Sequence, residues 1–396
     1  MGIRKRGDKW LVTVELGRDE LGYRRRAHAT CDTESEAKRE YARLSHEAYE
    51  GRHIKPSSES VASFCARYLA DHKSGLRGST YLRNAGIQRV QVERDLSRVP
   101  LSQFTPKAAS KWKAKLLADG LAPATVRKVL IYVSAAMELA VAWRVIADNP
   151  LRHIELPEEV SPPFHVYTVA EQAALLAAAA PSDGDPGGYH VGRCEGALYV
   201  PVALTLGTGL RKGELLGLEV GDFDAASGRL HVRRALGRDA AGRDVLGPCK
   251  TKRSERVVVL PDSLCGLLTA HIARRPRLRT KRLFISLRGA PYTLAGFDAS
   301  WDGVKRRAAA AMVRDAAAMH DPHASHAGDE LRRARFHDLR HTHATELLRA
   351  GVHIKVVAER LGDSETTVMR VYSHVLPDMQ EQAVAAIEPL LRGLLG

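Results

Sequence analysis

The chain has 396 residues, more than one ordinary domain holds and enough for two or three. Its 60 Lys/Arg against 46 Asp/Glu leave a net charge of +14, which favours a polyanionic partner, either nucleic acid or an anionic membrane surface. The longest apolar stretch, around Ala197 to Leu210, is interrupted by Gly207 and Gly209 and is too short to span a bilayer, which disfavours a membrane enzyme.

The segment Met1 to Trp10 is basic and polar and lacks the apolar run of a secretory signal. Five cysteines (Cys31, Cys65, Cys194, Cys249 and Cys265) form no CxxC pair, and their odd number argues against a disulfide framework. A reducing cytoplasm is the expected setting.

Residues 1–55 read as a small β-then-α unit. Trp10 to Val14 is rich in β-branched and aromatic residues, and Tyr23 to Ala29 is expected to return beside it as a second strand. Thr33 and Glu36 have capping-box spacing and open a helix expected to run to Tyr49. Arg24, Arg25 and Arg26 make the return strand basic, suited to a DNA groove or simply to a solvated face.

After a polar linker, residues 58–150 read as helical. Phe64, Tyr68 and Leu69 follow a 3.6-residue period, and Thr105-Pro106 and Pro123 open further helices. This segment holds fourteen Lys/Arg against seven Asp/Glu, so half of the net charge lies here. Lys111, Lys113, Lys115, Arg127 and Lys128 are candidates for contacts to a phosphate backbone.

Four prolines between Asn149 and Pro163 mark an interdomain linker. Residues 164–396 then mix helices with a strand pair, Arg229–Arg233 and Arg256–Leu260. The segment from about Lys305 to Arg335, polar near its end at Asp321-Pro322-His323 and Gly328, reads as an inserted loop, and Met379 to Leu395 as an amphipathic tail helix with Ala383, Ile387, Leu390, Leu391 and Leu394 on one face.

Four motifs in this last segment can carry chemistry. In Thr208-Gly209-Leu210-Arg211, a turn feeds a helix with an arginine at its start, where helix-dipole electrostatics disfavour a cation unless an anion is bound. Glu214, three residues on, can orient that guanidinium. Lys250 and Lys252 fall at what reads as the tip of a β-hairpin. In His337-Asp338-Leu339-Arg340, one His and one Arg on a shared helical face suit a phosphoryl group: Arg grips its oxygens and His moves a proton. His337, His341 and His343 lack the Glu of a zinc-protease motif, so a metal is not expected. The last motif runs from Leu361-Gly362-Asp363 to Tyr372. Taken singly, each motif is weak, and a lone tyrosine is usually packing.

Their order is not weak. Arg, hairpin Lys, His-x-x-Arg, Leu-Gly-x and Tyr, spread from Thr205 to His374, resemble the tyrosine site-specific recombinases of the phage-integrase kind. The resemblance implies a multidomain protein. It would have a small β-α arm-type DNA-binding domain (1–55), an all-α core-binding domain (58–150), and a mainly α-helical catalytic domain with a small antiparallel sheet (164–396). It implies that Arg211 and Arg340 clamp the scissile phosphate, Lys250 acts as general acid with Lys252 as rival, His337 assists proton transfer and Glu214 buttresses the site. Tyr372 would be the nucleophile, its pKa lowered by neighbouring cations. It implies no cofactor or metal, and double-stranded attachment-site DNA bound by a homotetramer, with accessory DNA-bending or directionality proteins as further partners. One position departs from the family pattern: Asp363 stands where His or Trp is usual. Three readings of it are open: the carboxylate faces away and pairs with a cation, a nearby His substitutes, or the enzyme is slow. A catalytically weakened DNA-binding regulator is the alternative function.

Overall fold

The computed structural model describes residues 2–18, 24–49, 58–158, 164–180, 198–274, 280–286, 289–319, 324–373 and 379–395. The chain divides into two compact units, Met1–Ser161 and Pro162–Gly396.

The first unit carries two separate hydrophobic cores. The smaller lies under an antiparallel sheet of β1 (Gly2–Arg6), β2 (Lys9–Arg18) and β3 (Arg24–Cys31), in the order β1-β2-β3, packed on helix α1 (Glu34–Tyr49). Val12, Val14 and Ala27 point inward from the sheet to meet Ala37 and Leu44 of the helix. The Thr33–Glu36 box forms: Thr33 Oγ1 accepts from the Glu36 N–H at 3.2 Å, and Glu36 Oε2 accepts from the Thr33 N–H at 3.3 Å. Strand β1, GIRKR, was not expected. It has no apolar alternation, and its pairing with β2 supplies the hydrogen bonds that its sequence does not advertise.

The larger core belongs to helices α2 (Val61–Asp71), α3 (Gly78–Ile87), α4 (Glu93–Leu96), α5 (Pro106–Ala118) and α6 (Pro123–Ala142). Ser60 and Thr105 cap α2 and α5 through their hydroxyls, and prolines start α5 and α6 where a missing N–H costs nothing. Phe64, Trp112, Leu116, Val126, Leu130 and Met137 fill the interior. Truncating any of the fully buried members would cost about 2–5 kcal/mol.

The second unit opens with α7 (Val169–Ala179), α8 (Tyr199–Thr208) and α9 (Lys212–Gly217). Five strands follow, β4 (Phe223–Asp224), β5 (Arg229–Val232), β6 (Arg234–Arg238), β7 (Asp244–Pro248) and β8 (Arg256–Val259). The remaining helices are α10 (Asp262–Arg274), α11 (Leu294–Ala318), α12 (Ala324–Arg333), α13 (Asp338–Arg349), α14 (Ile354–Leu361), α15 (Glu365–Tyr372) and α16 (Met379–Leu395). The expected pairing of β5 with β8 is present and antiparallel, with Leu230 opposite Val258, in a sheet ordered β4-β5-β8.

Two expectations are corrected here. Lys250 does not cap a hairpin: β7 pairs with β6 and β8 with β5, so the segment between β7 and β8 crosses from one sheet to the other. The segment from about Lys305 to Arg335 read as a loop is mostly helix over its described residues, because α11 runs on to Ala318 and α12 packs against it; Asp321, Pro322 and His323 lie outside the described residues. The alanine-rich sequence favours that helix more than its polarity opposes it. Helix α16 forms as expected, and Ile387, Leu390 and Leu394 on it are exposed. No helix among the described residues is long and apolar enough to cross a membrane.

Candidate active site

Arg211 precedes α9 with an extended backbone (φ −72°, ψ 148°). Glu214, buried one turn later, holds it twice. Oε2 accepts from the Arg211 backbone N–H at 3.1 Å, and Oε1 accepts from Nη1 at 2.7 Å. Arg256 of β8 donates to the same carboxylate at 3.1 Å. Burial pushes the Glu214 carboxyl up, but the charges of Arg256 and Arg211 outweigh it and hold the group below the usual value. Glu214 is therefore an ionised anchor between two guanidiniums.

Arg340 stands on the first turn of α13 with only 2% of its surface exposed. Its Nη1 donates to the Gly209 carbonyl at 2.7 Å. That carbonyl is available because Gly209 ends α8 in the left-handed region (φ +67°), where a Cβ would also strike the His343 ring at 2.8 Å. Gly362 repeats the device at the end of α14 (φ +67°): a Cβ there would lie 2.9 Å from the Arg253 carbonyl oxygen. Glycine lets this corner approach the β7–β8 connection and carries Asp363 into the site.

Asp363 takes the position between the two arginines. Its Oδ1 accepts from Arg211 Nη2, and its Oδ2 accepts from Arg340 Nη2 at 2.5 Å. The carboxylate pairs with cations without facing away, and the cations are the two predicted to clamp phosphate. Arg211 Nη1 also reaches Ser254 Oγ at 3.4 Å, so the connection bearing Lys250 and Lys252 borders the arginines. Both lysines are exposed. A cavity of roughly 390 Å³ opens beside this cluster, lined by Arg253, Arg256, Lys355, Glu359 and Asp363 among others.

Tyr372 closes α15 and is 4% exposed. Its hydroxyl lies 2.8 Å from Nδ1 of His341, one turn beyond His337 on α13. Phe164 stacks flat on the His341 ring (centroids 4.2 Å apart, planes at 13°) and meets Tyr372 edge-on. The expected lowering of the tyrosine pKa is reversed: burial pushes it up to about 12, more than Arg340 and Arg211 pull it down. His337, at the N-cap of α13, keeps an exposed edge, yet desolvation and then Arg340 and Arg211 push it down to about 4. His341 is also pushed down to about 4, by burial first and then by His337. Both imidazoles are neutral at pH 7.

Sequence reading weighed His341 only as a metal ligand and missed Phe164, Ser254 and Arg256. Only His341 left a signal, its four-residue spacing from His337. The charged surface candidates divide. Lys111, Lys128, Arg24 and Arg26 are exposed, while the Arg25 side chain lies outside the described residues. Lys113 donates to the Glu155 carbonyl at 3.0 Å, Lys115 pairs with Asp95 at 2.6 Å, and Arg127 reaches the Pro157 carbonyl at 3.5 Å.

Residues 192–379, which include every one of these motifs from Arg211 to Tyr372, match the phage integrase family. Over that segment the chain is similar to the tyrosine recombinases. A XerC-like tyrosine recombinase of Caldanaerobacter subterraneus is 25% identical over 98% of both chains. The ICEBs1 integrase of Bacillus subtilis is 24% identical over 99% of this chain and all of that one. Among solved structures, the Tn1549 transposon integrase in complex with transposon right-end DNA superposes with a TM-score of 0.65 at 21% identity, covering 84% of this recombinase and 99% of that chain. The λ integrase tetramer bound to a Holliday junction gives 0.53 at 17% identity, over 95% of each chain. These structural likenesses concern the fold: a helical catalytic domain carrying small antiparallel sheets. The family match and these relatives make the protein an enzyme, a site-specific recombinase of the integrase type.

Proposed function

We propose that this recombinase cuts and rejoins double-stranded DNA at the attachment sites of a phage or other mobile element, through a 3′-phosphotyrosyl bond to Tyr372. The reading rests on one observation: Arg211 and Arg340 both turn guanidinium N–H groups onto a single anion position, and both act electrostatically on the Tyr372 hydroxyl. In the cleavage complex the scissile phosphodiester takes that anion position in place of Asp363. The two guanidiniums then neutralise charge that grows on the non-bridging oxygens as the tyrosine oxygen adds to phosphorus. The P–O5′ bond breaks, and Lys250, or Lys252 in its place, supplies the proton that the 5′ oxygen needs. His337 supports proton movement at the phosphate, and Glu214 keeps Arg211 aimed. One phosphoester replaces another, so the bond is conserved for rejoining and no nucleotide or metal cofactor enters the scheme.

In the same proposal the sheet-and-helix segment 1–55 contacts arm-type DNA through Arg24, Arg25 and Arg26. The helical segment 58–150 grips the core site through Lys111 and Lys128, and residues 164–396 do the chemistry. Two bound dimers assemble as a tetramer on paired sites in the bacterial cytoplasm, with DNA-bending or directionality proteins as partners. The test is covalent trapping on a nicked suicide duplex built from the element's own junction, with wild type beside Tyr372→Phe. A denaturation-resistant adduct that disappears in the variant is the expected result. DNA binding with no adduct from wild type would refute the proposal and favour a DNA-binding regulator.

A further inference from the structure

We infer that His341 is the base that takes the proton from Tyr372 as the tyrosine oxygen attacks phosphorus. This rests on the reading of Tyr372 as nucleophile. Attack requires the phenol to lose its proton as the O–P bond forms, and the contact at 2.8 Å between Tyr372 Oη and His341 Nδ1 joins that proton to an acceptor before DNA arrives. Among the described hydrogen bonds it is the one the phenol makes. His337, the histidine that the sequence motif points to, stands behind His341, with its ring edge-to-face at 4.9 Å between centroids.

Three features fit His341 for the task. Phe164 packs flat against the ring, and Nδ1 is aimed at the hydroxyl. The ring is neutral at physiological pH, so with Nε2 carrying the hydrogen a lone pair is free on Nδ1. The tyrosine is buried and strongly protonated, so it cannot attack as a pre-formed phenolate and needs an acceptor within reach. The charged and titratable groups acting on His341 are His337, Asp338, Arg335 and Arg340, all on α13 or the turn before it, with Tyr372 of α15. In the forward step the O–H bond of Tyr372 breaks, Nδ1 gains the proton, the O–P bond forms, and the 5′ oxygen leaves with a proton from the lysine. On rejoining, His341 returns the proton to the tyrosine oxygen. A phosphodiester anion held by the arginines stabilises the transient imidazolium.

The test measures single-turnover adduct formation on the nicked junction duplex across roughly pH 6 to 9 for wild type, His341→Asn and Tyr372→Phe. Asparagine can keep a hydrogen bond at the δ position but cannot take a proton. We expect His341→Asn to bind DNA as wild type does and to form adduct about 100- to 1,000-fold more slowly at neutral pH. Its rate should rise about tenfold per pH unit while the wild-type rate stays nearly flat, because solvent hydroxide replaces the missing base. A His341→Asn rate within a few-fold of wild type with the same pH profile would overturn the inference. Nitrogen NMR of histidine-labelled wild type gives an independent reading that needs no variant to fold. It should show Nδ1 of His341 unprotonated and Nε2 protonated at neutral pH, and the opposite tautomer would also overturn the inference. Failure of wild type itself to form adduct would instead strike the reading of Tyr372.

Discussion

Replacing Asp363 by asparagine removes the negative charge between Arg211 and Arg340 while keeping the shape of the side chain. In the free protein this weakens two charge-assisted hydrogen bonds, each worth about 1.5–3 kcal/mol when fully formed and shielded. The Asp363 side chain is 24% exposed and that of Arg211 25%, against 3% for Arg340, so solvent screens one bond more than the other. A net loss of about 1–2 kcal/mol follows, or a fall in Tm of roughly 2–8 °C for a unit of this size. On the proposed mechanism the same interaction opposes cleavage, because the phosphodiester must displace the carboxylate to reach the arginines. Removing the competitor should speed adduct formation on the suicide duplex by about 5- to 30-fold. The asparagine amide can also donate to a phosphate oxygen, which a carboxylate cannot. Scanning calorimetry and single-turnover trapping on the same preparation read both effects. A variant that loses stability and also loses adduct, with DNA affinity unchanged, would refute the competition argument and show that the carboxylate is needed for cleavage.

Arg340→Ala should abolish adduct formation by at least about 100-fold and destabilise the free protein by about 3–5 kcal/mol, since it strands the Gly209 carbonyl and half of Asp363; calorimetry and trapping check this. Glu214 titrates below its ordinary value of 4.5, so its stabilisation is complete above that pH and is lost as pH falls through the lower folded-state value. Glu214→Gln should therefore be less stable at neutral pH and lose less on acidification, as denaturant midpoints measured from pH 7 down to about pH 3 would show. Lys250→Ala should lose adduct on an ordinary duplex and recover it on one with sulfur in place of the 5′-bridging oxygen, because a thiolate leaves without a proton; recovery by Lys252→Ala instead would move the acid to Lys252.

Local features follow from the sequence alone. The Thr33–Glu36 box, the Thr105 cap and the prolines that start α5 and α6 act within one turn of chain, so their residues announce them. The order of arginine, lysine, histidine, arginine and tyrosine likewise carried the resemblance to the tyrosine recombinases, because order along the chain is written in the sequence. Strand β1 and the change of sheet after β7 depend on partners elsewhere, and no periodicity marks them. The state of the site arises only once the chain is folded. Arg211 and Asp363 are 152 residues apart and His341 and Tyr372 are 31 apart, so no spacing rule could have joined them. Folding also sets the tyrosine's protonation against the sequence expectation. Charge can be counted along a chain, but burial cannot, and here burial outweighs the neighbouring cations.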